Sequence, residues 1–246
     1  MRTLLLLLLL LLLAACGLAR AESRPRELRQ VLDLPDGARV AALTLDACGG
    51  AFDADLVDFL VEHRIPATIF ATRKWLRRNP QALVKLVENA DLFDIENHGA
   101  NHVPAFIGRD KLVYGIPGEL DVAHLRREVS QGASAIEKAT GAPPRWYRGA
   151  TAEYDDQSLK VIEQMGYKVA GFSVNADSGA SLPKARIVAR LKKVRSGDII
   201  IAHVNRPESD TAEGLAIGLE LLHGRGFRFV KLGEFPVRPL RPLLTP

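Results

Sequence analysis

The chain has 246 residues, a formal charge of +4, 47% apolar residues and two cysteines. Once a leader is set aside, that length suffices for one domain with a full core. The basic residues are scattered and not interleaved with aromatics, which argues against a nucleic-acid binder.

Residues 1–21 read as a secretory signal: Met1-Arg2-Thr3, then ten leucines from Leu4 to Leu13, then small residues. The apolar run is shorter than the roughly 20 residues of a membrane-spanning helix. Two cleavage patterns stand. Leu13-Ala14-Ala15-Cys16 resembles a lipobox, which would tie the protein to a membrane only through a lipid on Cys16. Ala19-Arg20-Ala21 is an A-x-A site. Both imply export, to the periplasm or cell envelope. Cys48 is then the lone thiol, and no internal disulfide can form.

Residues 22–37 are polar and read as a lead-in. Strand-like runs follow at Arg39–Asp46, Ala67–Thr72, Leu92–Glu96, Arg145–Arg148, Tyr167–Val174, Asp198–His203 and Phe227–Leu232. Helical patterns lie between them: Asp53–His63, Pro80–Asn89, Asp121–Thr140, Asp155–Met165, Lys184–Arg195 and Thr211–His223. Asp121–Thr140 is bounded by an Asp start and a Gly141 stop, and Pro80 suits a first turn. Strand and helix alternate throughout, so residues 38–235 are expected to form a distorted (β/α) barrel with seven or eight parallel strands. The tail, residues 236–246, has four prolines and reads as an extended, unpacked arm.

In such a barrel the chemistry sits at the C-terminal ends of the strands. The polar residues found there are Asp46 in LTLDACGG, His98 and His102 in ENHGANH, Arg148 in WYRGA, Asn175 and Asp177 in SVNADSG, and His203 in IIIAH. Strand periodicity alone does not place polar residues at so many strand ends. The two histidines four apart can share a metal ion.

These five stretches, in this order, resemble the five motifs of the polysaccharide deacetylases of the NodB-homology type. LTLDACGG looks like T-F-D-D-G, HGANH like H-S/T-x-x-H, YRGATAEYD like an Arg followed by P-P-Y-G, FSVNADS like the fourth motif, and IIIAH like the fifth. ATIFATRKWLRRNP is similar to T-F-F-V-x-x-x-W. The match runs from about residue 38 to about 232. The resemblance implies that Asp46 is a general base, His98 and His102 are ligands of a divalent metal such as zinc, and His203 is a general acid. It implies that Arg148 orients Asp46 and Asp177 tunes His203. The substrate would be an aminosugar polymer, peptidoglycan or an envelope exopolysaccharide, losing N-acetyl groups. A mildly basic surface suits an anionic polymer of that kind.

Two departures bear on this reading. The family's second aspartate is replaced by Ala47, so the third metal ligand is absent, comes from elsewhere, is Asp46 itself, or is Cys48. Residues i and i+2 of a strand share a side, and thiolate is a good zinc ligand, which favours Cys48; a small buried filler is the competing role. Gly149-Ala150-Thr151 replaces P-P-Y in the groove wall, which leaves Asn175 and Tyr154, with Glu153, as candidate substrate contacts. The 103–120 segment is a long connection over the barrel mouth, a candidate substrate cover. Another amidase on the same barrel, or a carbohydrate-binding relative without catalysis, are the alternatives.

Overall fold

The computed structural model describes residues 24–240. The expected leader, with Cys16, and residues 241–246 of the tail lie outside the described residues. In chain order the strands are β1 (Arg26–Glu27), β2 (Gln30–Leu32), β3 (Val40–Ala47), β4 (Ala67–Ala71), β5 (Phe93–Asn97), β6 (Leu112–Val113), β7 (Ile116–Pro117), β8 (Trp146–Tyr147), β9 (Glu153–Tyr154), β10 (Lys168–Val169), β11 (Val174–Asn175), β12 (Ile199–His203), β13 (Arg228–Val230) and β14 (Val237–Pro239). The helices are α1 (Ala54–Glu62), α2 (Arg73–Arg78), α3 (Pro80–Glu88), α4 (Val122–Thr140), α5 (Asp156–Gln164), α6 (Lys184–Leu191) and α7 (Thr211–Gly224). No helix among the described residues is long and apolar enough to cross a membrane.

The main sheet is parallel and runs β10-β8-β5-β4-β3-β12-β11, with β13 also on β3. Its two ends, β10 and β11, lie four residues apart in one stretch of chain; the expected strand Tyr167–Val174 is broken at residues 170–173 and resumes only at Val174–Asn175. The sheet therefore returns on itself as a distorted barrel. Ala42 pairs with both β12 and β13, so β13 shares an edge of β3 with β4: β13 takes Val40–Ala42 and β4 takes Thr44–Ala47.

The period of two along β3 sorts its side chains. Ala41, Leu43, Leu45 and Ala47 join the core beneath the helices. Val40 and Ala42 face the barrel interior. Thr44 and Asp46 continue that inward row. The same parity applies on β12, where Ile199 and Ile201 point inward and Ile200 and Ala202 outward, so His203 points inward. Helix starts are fixed by side-chain caps: Asp53 accepts from Leu56 N, Thr72 from Trp75 N, Asp121 from His124 N and Asp155 from Ser158 N. The short helix α2, absent from the sequence expectations, follows from the Thr72 cap.

Two expectations are corrected. The lead-in is structural: Phe172 N donates to Leu28 O (3.1 Å), Gln30 N to Phe172 O (3.1 Å) and Gly171 N to the Gln30 side chain (2.6 Å). These bonds satisfy the backbone groups left open where β10 and β11 part. The tail is packed as far as Pro239, because β14 pairs antiparallel with β2. Phe235 and Val237 rest on the interior cluster that includes Leu32.

The 103–120 segment is an anchored excursion. Phe106 is fully buried, Glu119 N donates to Phe106 O (2.8 Å), and Gly108 N returns a bond to Glu119 O (2.8 Å). Pro104 bridges Ala150. At Gly149 a Cβ would lie 2.6 Å from the Ala105 Cβ, so this close approach requires the glycine. Glu119 is 6% exposed and its Oε1 has no hydrogen-bond partner. Burial, then the charge of Glu128, raises its carboxyl to about 7. A carboxyl whose pKa is higher in the folded state contributes stability below its unfolded pKa that is lost as the pH rises through the folded one. Glu119→Gln is therefore expected to leave the melting temperature near pH 4 unchanged and to raise it above pH 7. Parallel thermal melts across that range check this.

Candidate metal centre and acid–base site

Asp46 ends the inward row of β3 and is 4% exposed. Its Oδ1 accepts from Arg148 Nη1 (2.9 Å), and its Oδ2 lies 3.7 Å from His98 Nε2. Burial alone would raise its pKa, but the charge of Arg148, joined by His98 and His203, outweighs it and holds the carboxyl below the ordinary value.

Arg148 follows β8 and is fully buried. Nη1 also donates to Thr44 Oγ1 (2.8 Å), Nη2 to Gly171 O (3.0 Å) and Nε to Ala170 O (3.4 Å). The guanidinium lies 4.3 Å from the centre of the Phe70 ring. The main-chain oxygen of Arg148 accepts from His98 Nδ1 (2.7 Å). One residue thus aims the carboxylate with its side chain and a histidine with its backbone.

His98 follows β5, and His102 follows it on a loop. The Nδ1–H bond to Arg148 leaves Nε2 of His98 as a lone-pair donor. Cys48 Sγ lies 3.5 Å from that nitrogen. The ligand atoms of Cys48, His98 and His102 all fall within 4.8 Å of one another. Two ligands at about 2.3 Å (sulfur) and about 2.1 Å (nitrogen) from a tetrahedral zinc ion lie roughly 3.6 Å apart, a separation the Cys48–His98 pair matches. Burial pushes the Cys48 thiol up, but hydrogen bonding with His102, His203 and His98 outweighs it and sets the pKa well below the usual thiol value. Ala47 belongs to the outer core, because one step along a strand turns the side chain away from the interior. Cys48 lines the mouth.

His203, at the end of β12, stands across the same space. Its Nδ1 is 3.0 Å from Asp177 Oδ1, and its backbone N donates to Asp177 Oδ2 (2.9 Å). Asp177 is fully buried and also accepts from Thr211 Oγ1 (3.2 Å). Burial disfavours the imidazolium, but the hydrogen bonds and charges of Asp177 and Cys48 outweigh it and hold the pKa well above the ordinary value.

Asp46, Cys48, His102, Asn175 and His203 line one cavity of about 440 Å³, in the range of ligand pockets. Tyr154 does not. It is fully buried, its hydroxyl accepts from Gly149 N (2.9 Å), and its ring packs with Tyr147 and Leu125. The strand parity of β9 turns it inward, so it supports the wall from behind.

Glu128 was not legible as part of the site. It is 4% exposed on α4. Its Oε1 accepts from Asn101 N (2.7 Å) and Val103 N (3.3 Å), and its Oε2 from Asn101 Nδ2 (3.1 Å). These bonds bracket His102, whose φ of 67° is in the left-handed region. Gly99, at φ 86°, makes room: a Cβ there would lie 2.6 Å from Glu128 Oε1. The available signal was a charge in phase with the buried face Leu125, Val129 and Gly132.

The fold and the site together define a (β/α) barrel with a metal-competent donor set beside a carboxylate and a histidine. The chain belongs to the polysaccharide deacetylase family, whose sequence profile matches residues 33–170. It is 28% identical over 214 residues to a chitooligosaccharide deacetylase of Sinorhizobium fredii, covering 81% of this chain and 93% of that one. It spans about half (53%) of an uncharacterized Bacillus subtilis protein, YlxY, at 22% identity over 74% of this chain. Its fold is that of a peptidoglycan N-acetylglucosamine deacetylase (TM-score 0.70, 19% identity, 84% of this chain and 91% of that one). It is also that of a CE4 family pseudoenzyme from Bacillus anthracis (TM-score 0.67, 20% identity, 82% and 66%).

Glu128→Ala, which frees the backbone on either side of His102, is expected to weaken binding of added zinc about tenfold, the scale of a lost outer support at a metal site. Glu128→Gln, which keeps an acceptor for Asn101 N, is expected to retain most of it. Calorimetric zinc titration of the metal-free proteins measures both.

Proposed function

We propose that this protein is an exported, metal-dependent hydrolase that removes N-acetyl groups from an aminosugar polymer, peptidoglycan or an envelope exopolysaccharide. The observation that carries the proposal is one cavity lined by Cys48 and His102, with His98 buried against Cys48 at its wall, between an arginine-held carboxylate and an aspartate-held imidazole. The substrate class follows the named activities of the relatives.

An amide is a poor electrophile and water a poor nucleophile. A divalent ion held by Cys48, His98 and His102 would supply Lewis acidity for the carbonyl and lower the pKa of water from about 15.7 to about 7. The protein's own groups do the rest. Arg148 fixes Asp46 Oδ1, so Oδ2 is the oxygen that takes a proton from the attacking water. Asp177 holds Nδ1 of His203, which keeps the ring protonated and leaves Nε2 to give a proton to the departing amine. The C–N bond breaks, and acetate and a free amine on the sugar result.

A second reading has one specific support. Ala47 stands where the family motif has a second carboxylate, and one solved relative of this fold is a pseudoenzyme. In that reading the protein binds the polymer without cleaving it.

Metal content and acetate release from chitooligosaccharides and peptidoglycan separate the two. Wild type is expected to hold one zinc ion and release acetate. Cys48→Ser and Cys48→Ala are expected to lose both. Asp46→Asn is expected to keep the metal and lose about 10²–10⁴ in kcat. Metal binding with no acetate from either polymer would sink the hydrolase reading in favour of the binding one.

A further inference from the structure

The anchored 103–120 segment ends in a hairpin whose tip reaches the catalytic cavity. β6 and β7 pair Leu112 with Pro117 and Val113 with Ile116, which leaves Tyr114-Gly115 as a two-residue turn. Both turn residues have positive φ, 52° and 75°, the pattern of a turn that favours Asn or Gly at its first position. A tyrosine there is strained, and the fold gains little from it, because Tyr114 is 76% exposed. Val113, which alternates with it, is the residue that packs inward. Leu112 is also exposed but does not line the cavity.

Tyr114 does line that cavity, together with Asp46, Cys48, His102 and His203. Glu27 and Phe172 complete the same wall. A phenol is protonated at neutral pH, so its hydroxyl can both donate and accept. An aromatic face with a polar edge beside a reacting centre matches a pyranose ring, which presents C–H groups on its faces and hydroxyls around its rim. Strain without a packing return is characteristic of functional positions.

We propose that Tyr114 is a specificity-determining residue whose ring is the platform for the sugar unit next to the one that reacts. The protein therefore selects chains of two or more aminosugar units over a single N-acetyl sugar. This rests on the aminosugar reading above and names how that site chooses its substrate. The hairpin base, fixed through Phe106, Glu119 and the Pro104–Ala150 bridge, keeps the platform in place before substrate arrives.

The test compares wild type, Tyr114→Ala, Tyr114→Phe and Leu112→Ala as zinc-loaded proteins. Calorimetry measures chitotetraose affinity, and acetate release gives kcat and KM on chitotetraose and on N-acetylglucosamine. Tyr114→Ala is expected to weaken chitotetraose binding about tenfold, the scale of one lost aromatic contact. The preference for tetramer over monomer in kcat/KM is expected to fall by the same factor, through KM. Tyr114→Phe keeps the face and is expected to bind chitotetraose nearly as tightly as wild type. Leu112→Ala, on the same hairpin, controls for hairpin disturbance and is expected to match wild type. Equal chitotetraose affinity in wild type and Tyr114→Ala overturns the platform, as does a loss of equal size in Leu112→Ala. If wild type binds chitotetraose without releasing acetate, the hydrolase reading fails, and the binding ratio alone decides the role of Tyr114. If wild type neither binds nor hydrolyses the tetramer, both are overturned.

Discussion

A fully buried guanidinium holds this site together. Arg148 reaches from the end of β8 across the barrel to Thr44 and Asp46 on β3, and back to the carbonyls of Ala170 and Gly171 between β10 and β11. A buried charge is tolerable only when its partners are complete. Here the donors meet a carboxylate, a hydroxyl and two carbonyls, and the flat face lies on Phe70. Removing either member of such a pair typically costs about 3–5 kcal/mol. The same residue's carbonyl sets the tautomer of His98, so the carboxylate and the metal-competent face share one origin.

The second constraint is parity. In β3 the inward row Val40, Ala42, Thr44, Asp46 runs on to Cys48, while Ala47 turns into the helix-side core. Losing a carboxylate at position 47 therefore leaves a residue well packed outside the barrel. The residue two past Asp46 stands beside the histidines. The donor set is soft, one sulfur and two imidazoles, and its Cys48–His98 separation is already that of two ligands on one ion.

Most supports of the site come from outside the residues that carry its chemistry. Glu128 on α4 fixes the strained His102 loop. Tyr154 stands behind Gly149. The lead-in seals the parting of β10 and β11. The altered third motif is coupled to the hairpin segment, since a glycine at 149 is what lets Ala105 approach. The 103–120 excursion packs directly on this stretch there, through the Pro104–Ala150 bridge.

The alternation of strands and helices, and with it the barrel, is written in the local pattern of residues. Apolar runs such as Val40–Leu45 and Ile199–Ala202 have one stable home, a parallel sheet covered on both faces. The same pattern determined the polar strand ends, because a charged or imidazole side chain after such a run has only the mouth in which to stay hydrated or paired. Tertiary structure decided which of these groups meet. That Cys48 approaches His98, 50 positions away, that Glu128 supports the His102 loop, and that Tyr154 is hidden while Tyr114 is presented all depend on strand register and on contacts far apart in sequence. Local pattern records whether a side chain is apolar and how it is spaced. It holds no record of the partner across the barrel, since that partner is fixed only when the sheet closes.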